Sequence, residues 1–106
     1  MELPIEFSTR SGRPDTVDAL REYAVRRLAF AVGRFRHRIR RITVRLVDQN
    51  GPRRGVDSRC SITAELVDGE RRFVEATAAG PFVAITKAAG SLSEGLRRTL
   101  NRRPRS

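Results

Sequence analysis

The side chains with chemistry to offer in this chain are guanidinium groups. Lys87 is the lone lysine among 22 Lys and Arg residues, so 21 are arginine. Twelve acids leave a formal net charge of +10 in 106 residues. An arginine carries a planar, permanently charged donor fork that matches phosphate oxygens and stacks on flat rings, whereas lysine offers a point charge. A GC-rich genome accounts for arginine in place of lysine, but not for the excess of cations over anions. A polyanion is therefore the expected partner, with nucleic acid first.

Groups for bond-making chemistry are sparse. His37 is the one histidine and sits in the basic string Arg36-His37-Arg38; Cys60 is the one cysteine. The two could form a nucleophile pair, but Cys60 falls on the inward register of a strand and reads as a small core residue. One Cys and one His cannot by themselves make a four-ligand zinc site. Nothing in the sequence fixes Asp48, Asp57 and His37 into a cluster. Gly51-Pro52-Arg53-Arg54-Gly55 lacks the Gly-Lys-Ser/Thr ending of a phosphate-binding loop. The expectation is a binding protein and not an enzyme, with no metal, cofactor or small-molecule substrate.

The bulk composition sets the scaffold. The length suits one domain with a small core. A single cysteine excludes an internal disulfide framework and fits a reducing compartment. No apolar run approaches the ~20 residues that span a bilayer. The opening MELPIEFSTR has no basic stretch followed by an apolar core, so no secretion signal is expected and the cytoplasm is the expected address.

Periodicity then places the arginines on elements. Ile5 to Thr9 alternates and reads as a strand. Asp15 or Thr16 is expected to cap a helix running from about Thr16 to Phe35. Its apolar stripe is Val17, Leu20, Ala24, Leu28, Ala31 and Phe35. Tyr23, Arg26, Arg27, Phe30 and Arg34 lie on its other flank. The arginines there are read as RNA-facing, and the two aromatics as a widening of the core stripe. A second strand points Ile42, Val44 and Leu46 inward and Arg41, Thr43 and Arg45 outward. A loop over Asp48–Gly55 leads to a third strand with Cys60, Ile62, Ala64 and Leu66 inward. Asp68-Gly69 signals a two-residue hairpin, and a fourth strand covers about Arg71 to Ala78. Pro81 opens the last helix, where its missing N–H has no partner to lose. That helix carries Phe82, Ile85, Ala89, Leu92, Leu96 and Leu100 inward. Gly90 and Gly95 are expected to let it approach the first helix closely.

The order β-α-β-β-β-α is that of an α+β fold: a four-stranded sheet with two helices packed on one face. A right-handed crossover through the first helix is expected. Residues 1–103 are read as a single domain and 104–106 as a frayed basic tail.

These residues resemble the ribosome hibernation-promoting factor / ribosome-associated inhibitor A family, also called sigma-54 modulation proteins, in its short form. The resemblance is carried by Asp18-Ala19-Leu20-Arg21-Glu22-Tyr23 with Arg27-Leu28, and by Arg38-Ile39 leading to Thr43-Val44-Arg45-Leu46. It continues through Cys60-Ser61-Ile62-Thr63, Asp68-Gly69, and Ala84-Ile85 with Leu92, Leu96 and Arg98. It is collinear nearly end to end, and no single motif is sharp. It implies the same fold and a protein that enters the decoding channel of the small ribosomal subunit, overlaps the mRNA and tRNA positions and idles translation. The implied partner is 16S-type rRNA, met by a monomer in the cytoplasm. The implied contacts are Arg21, Arg27, Arg41, Arg45, Arg98 and Arg102. Arg34 joins them from the helix flank, and Lys87, Arg97 and Arg103 from the last helix. Gly80-Pro81-Phe82 replaces an Asp-Met-Tyr-like step of the family, and Ser91 and Glu94 replace two of its cations. Arg97, Arg103 and the loop pair Arg53 and Arg54 are the expected compensation.

Two other readings fit the sequence. One is a general double-stranded RNA-binding module, which free duplex RNA would reveal by competition. The other is a protein-interaction regulator docking through the open sheet face of Arg41, Thr43, Arg45, Thr63 and Glu65, with shallow salt dependence.

Overall fold

The computed structural model describes residues 3–10, 14–50 and 56–101. The elements are β1 (Ile5–Thr9), α1 (Pro14–Val32), a 3-10 segment (Gly33–Arg38), β2 (Ile39–Asn50), β3 (Val56–Leu66), β4 (Arg71–Ala78) and α2 (Pro81–Asn101). The sheet order is β1-β2-β3-β4. β1 lies parallel to β2 across the α1 crossover, and the remaining pairs are antiparallel. The four-stranded α+β arrangement expected from periodicity is the one observed.

The core lies between one face of the sheet and the two helices. Alternation turns Ile42, Val44, Leu46, Cys60, Ile62, Ala64 and Leu66 inward, all buried. Leu20, Ala24, Leu28 and Val32 recur every fourth residue of α1 and are buried against them. From α2 come Ala84, Ile85, Ala88, Ala89, Leu92 and Leu96. α2 packs on α1, β3 and β4. Small alanines fill its packed face. The glycines do not: a Cβ at Gly90 or Gly95 would meet nothing within 4 Å. The expected role of these glycines in close helix approach is therefore incorrect.

Several boundaries differ from expectation for physical reasons. α1 opens at Pro14, so Asp15 and Thr16 lie inside the first turn and not at the cap. It ends at Val32, and the chain to Arg38 tightens into a 3-10 segment. The Arg36 guanidinium donates to the Gly33 carbonyl at 2.9 Å, and the Val67 N–H donates to the Arg38 carbonyl at 2.9 Å. β2 continues through Asp48 to Asn50, which shortens the expected loop, and positions 51–55 lie outside the described residues. The Asp68-Gly69 hairpin has three residues in its loop, not two. Gly69 N–H donates to Leu66 O at 3.0 Å and Leu66 N–H to Glu70 O at 2.8 Å. Gly69 takes φ of 97°, the left-handed residue that closes a type I turn with a bulge. α2 begins as expected at Pro81, with the Gly80 carbonyl accepting from the Ala84 N–H at 3.0 Å.

One irregularity positions charge. The β2–β3 register shifts between Ile39 and Arg41. Ile39 and Ile42 both point inward, so Arg40 and Arg41 are both left exposed.

Candidate nucleic-acid interface

The arginines divide into two environments. On the outer face of the sheet Arg41 and Arg59 have acidic neighbours. Arg41 lies 3.5 Å from Glu6 and 3.9 Å from Glu65, its register partner across the ladder. Arg59 lies 3.7 Å from Glu75, which also accepts from the Ser61 hydroxyl at 3.1 Å. Exposed pairs of this kind stabilise by only ~0–1 kcal/mol, but they lower the local positive potential.

The helix layer and the corner after α1 differ. Between Glu22 and Asp48 the chain has eight arginines and no acid, and all of them but Arg41 and Arg45 of the outer sheet face lie on α1, in the 3-10 segment or at the start of β2. Arg26, Arg27 and Arg34 enter no ion pair among the described residues, nor do Lys87 and Arg98 on α2. Their fields add, because no carboxylate pairs with them. Arg36, Arg38 and Arg40 extend the same acid-free stretch and were missed in the sequence reading. The acid-free window itself was the signal that could have found them.

Two grooves run through this layer. One lies between α1 and α2, with a volume of about 400 Å³, lined by Arg27, Phe30, Ala31, Arg34, Gly90 and Ser93. The other, of about 640 Å³, lies between α2 and β4 and includes Lys87, Gly90, Ser91, Glu94 and Arg98. Gly90 belongs to both, so they meet across the exposed surface of α2.

The residues expected to meet RNA are thus distributed as follows. Arg27 and Arg34 share the first groove; Lys87 and Arg98 share the second. Arg97 is held 2.7 Å from Glu94, and Arg21 3.1 Å from Asp18. Arg41 is on the ion-paired sheet face. Arg45 lines a shallow depression with Ser8, Thr9 and Arg10. Arg102 and Arg103 lie outside the described residues, as do Arg53, Arg54 and the 104–106 tail.

The two aromatics on α1 separate. Tyr23 is half-buried against the core, with its ring edge-on to Phe82 at 5.0 Å and its hydroxyl 2.6 Å from Thr86 Oγ1. Phe30 is 80% exposed, which corrects its assignment to the core stripe. The i, i+3 spacing from Arg27 places it on the outer flank, where the Arg27 guanidinium lies over its ring, 5.4 Å from the centroid. Arg27 Nε is buried without a hydrogen-bond partner among the described residues.

Cys60 is fully enclosed on the inner sheet face, and burial pushes its thiol from 9.0 up to about 12. A thiol held neutral in this way is a poor nucleophile. Among the described residues no group of three or more His, Cys, Asp or Glu could hold a metal ion. No described helix is long and apolar enough to cross a membrane.

Comparison with known proteins agrees with this architecture. The N-terminal domain of Thermus thermophilus Protein Y superposes with a TM-score of 0.65 at 22% identity, covering 93% of this chain and 99% of that one. A ribosomal subunit interface protein from Coxiella burnetii superposes with a TM-score of 0.72 at 16% identity, covering 94% and 100%. At these identities the likeness shows the fold alone. No curated protein matches the sequence. Residues 9–103 match the family described as sigma 54 modulation protein / S30EA ribosomal protein. Taken with the fold, that match places the chain in the sigma 54 modulation / S30EA family of ribosome-associated modulation factors.

Proposed function

We propose that this protein is a hibernation factor that occupies the decoding channel of the small ribosomal subunit and excludes mRNA and tRNA by its bulk. The observation that carries the reading, within the family, is the segregation of charge. On the sheet face Arg41 and Arg59 sit against carboxylates, while Arg27, Arg34, Lys87 and Arg98 line two joined grooves of the helix layer. A rigid domain with that asymmetry would present its helices and the Arg34–Arg40 corner to rRNA phosphates. Arg45 would add a contact from the outer face of β2, between Ser8 and Ser61. Arg21, Arg41 and Arg97 would contribute less, because each would have to leave a carboxylate. Arg102 and Arg103, which follow α2 in sequence, would add two further cations.

Binding of this kind releases counterions, so affinity should fall steeply with salt. The mechanism is steric and acts through a monomer in the cytosol. No substrate is turned over and no cofactor is required.

The test is competition on purified small subunits. Saturating protein should prevent binding of a labelled mRNA and of initiator tRNA, and an excess of free duplex RNA should not remove the protein. Unimpeded mRNA and tRNA binding on protein-saturated subunits would overturn the proposal. Release by duplex RNA as readily as by fresh subunits would assign the chain to general duplex binding.

A further inference from the structure

Phe30 is the largest apolar exposure on the α1 flank, and it stands in a groove whose other lining is cationic or small. None of Arg27, Ala31, Arg34, Gly90 and Ser93 is an acid. Arg27 covers one face of the ring at 5.4 Å. The 80% exposure of the residue leaves the rest of the ring open. Gly90 has open space where a side chain would stand, which keeps the α2 wall low. Arg27 Nε is a donor shielded from water with no acceptor among the described residues. The groove therefore combines an aromatic platform and guanidinium groups in about 400 Å³, the scale of a small-ligand site and not of a helix.

We propose that this groove holds one unpaired nucleotide, with its base against Phe30 and its phosphate on Arg34 and Arg27. The inference rests on the proposed function, since it uses the same helix layer. A paired base already has both faces covered by its neighbours, so the site selects single-stranded RNA over duplex. Stacking on a phenyl ring requires no base-edge hydrogen bonds, so the site accepts any base. The Ser93 hydroxyl at the opposite wall offers a donor and an acceptor to the sugar.

The experiment uses fluorescein-labelled 12-nucleotide oligoadenylate, the corresponding 12-base-pair duplex and purified small subunits, with the full chain at 50–200 mM salt. The single strand should bind more tightly than the duplex. Phe30→Leu should weaken single-strand binding about 5- to 150-fold with the salt slope unchanged. Phe30→Trp should restore it. Arg34→Gln should weaken binding and lower the slope by about 0.7. Phe30 is exposed, so its variants should keep the wild-type circular dichroism spectrum. Equal affinity of Phe30→Leu and wild type for the single strand, or a wild-type preference for duplex, would overturn the stacking site. The two readings fail separately. If Arg34→Gln impairs subunit binding while Phe30→Leu changes neither probe, the stacking site falls and the ribosomal reading stands. If the oligonucleotide binds through Phe30 but subunits do not bind, the ribosomal reading falls and the site stands.

Discussion

The Tyr23 hydroxyl and Thr86 Oγ1, 63 positions apart in sequence, share a 2.6 Å hydrogen bond that joins α1 to the first turns of α2. The Tyr23 ring also meets Phe82 edge-on. This pair fixes the helices at one end of the layer, and with it the geometry of the groove farther along α1. Tyr23→Phe keeps the ring contact and removes the bond. The expected loss is about 1 kcal/mol, read by urea denaturation, with wild-type subunit binding at temperatures where the variant is folded.

Leu28 is fully buried on the inward stripe of α1 one residue after Arg27. Leu28→Ala should destabilise by about 2–5 kcal/mol, a large share of the stability of a domain this small. Differential scanning calorimetry should show a clear drop in Tm. A thermally neutral Leu28→Ala would contradict the placement of the core.

Gly95 lies inside α2, and a Cβ there would meet nothing within 4 Å. Gly95→Ala should therefore stabilise by up to ~1 kcal/mol through helix propensity alone. It should leave RNA affinity unchanged, because the residue lines neither groove. Denaturant midpoints of the two proteins, measured side by side, check this.

Cys60 sets a limit at high pH. Its thiol ionises near 9.0 in an exposed setting and near 12 in the fold. Above pH 9 the unfolded chain loses a proton that the native state keeps. This contribution is therefore fully present below pH 9 and is lost as pH rises toward 12, at up to about 1.4 kcal/mol per pH unit. Cys60→Ala should flatten that decline in stability between pH 9 and 11. At pH 8 a thiol reagent should modify wild type only as fast as the chain opens.

Much of the fold was legible in the sequence. Strict alternation gave β1 and β4 the observed limits, Ile5–Thr9 and Arg71–Ala78, and showed the inward face of the sheet. The β2 bulge was harder to read, because two adjacent outward arginines look like a lapse in alternation until the partner strand supplies the register. The end of α1 was blurred because Phe35 continues its apolar stripe and packs against the core from a 3-10 turn. Of the candidate interface, arginine excess identified the chemistry but not the face. Glu6 and Glu65 lie far from Arg41 in sequence and meet it only across the ladder, so the division between ion-paired and free arginines is a tertiary property. Phe30 was misread because a helix flank beside a core stripe looks continuous with it until the second helix is in place.

The most direct test of the account compares two double variants of equal charge, Arg27→Gln/Arg98→Gln on the helix layer and Arg41→Gln/Arg59→Gln on the sheet face. Their affinities for purified small subunits are measured across a salt series. Losing two charge-assisted contacts should cost the helix-layer variant about 100-fold or more and lower its salt slope by about 1.4–1.8. The sheet-face variant should stay within about 10-fold of wild type, since its charges are already met by Glu6, Glu65 and Glu75. Equal losses in the two variants, or a helix-layer variant that binds like wild type, would contradict the claim that the helix layer faces the ribosome.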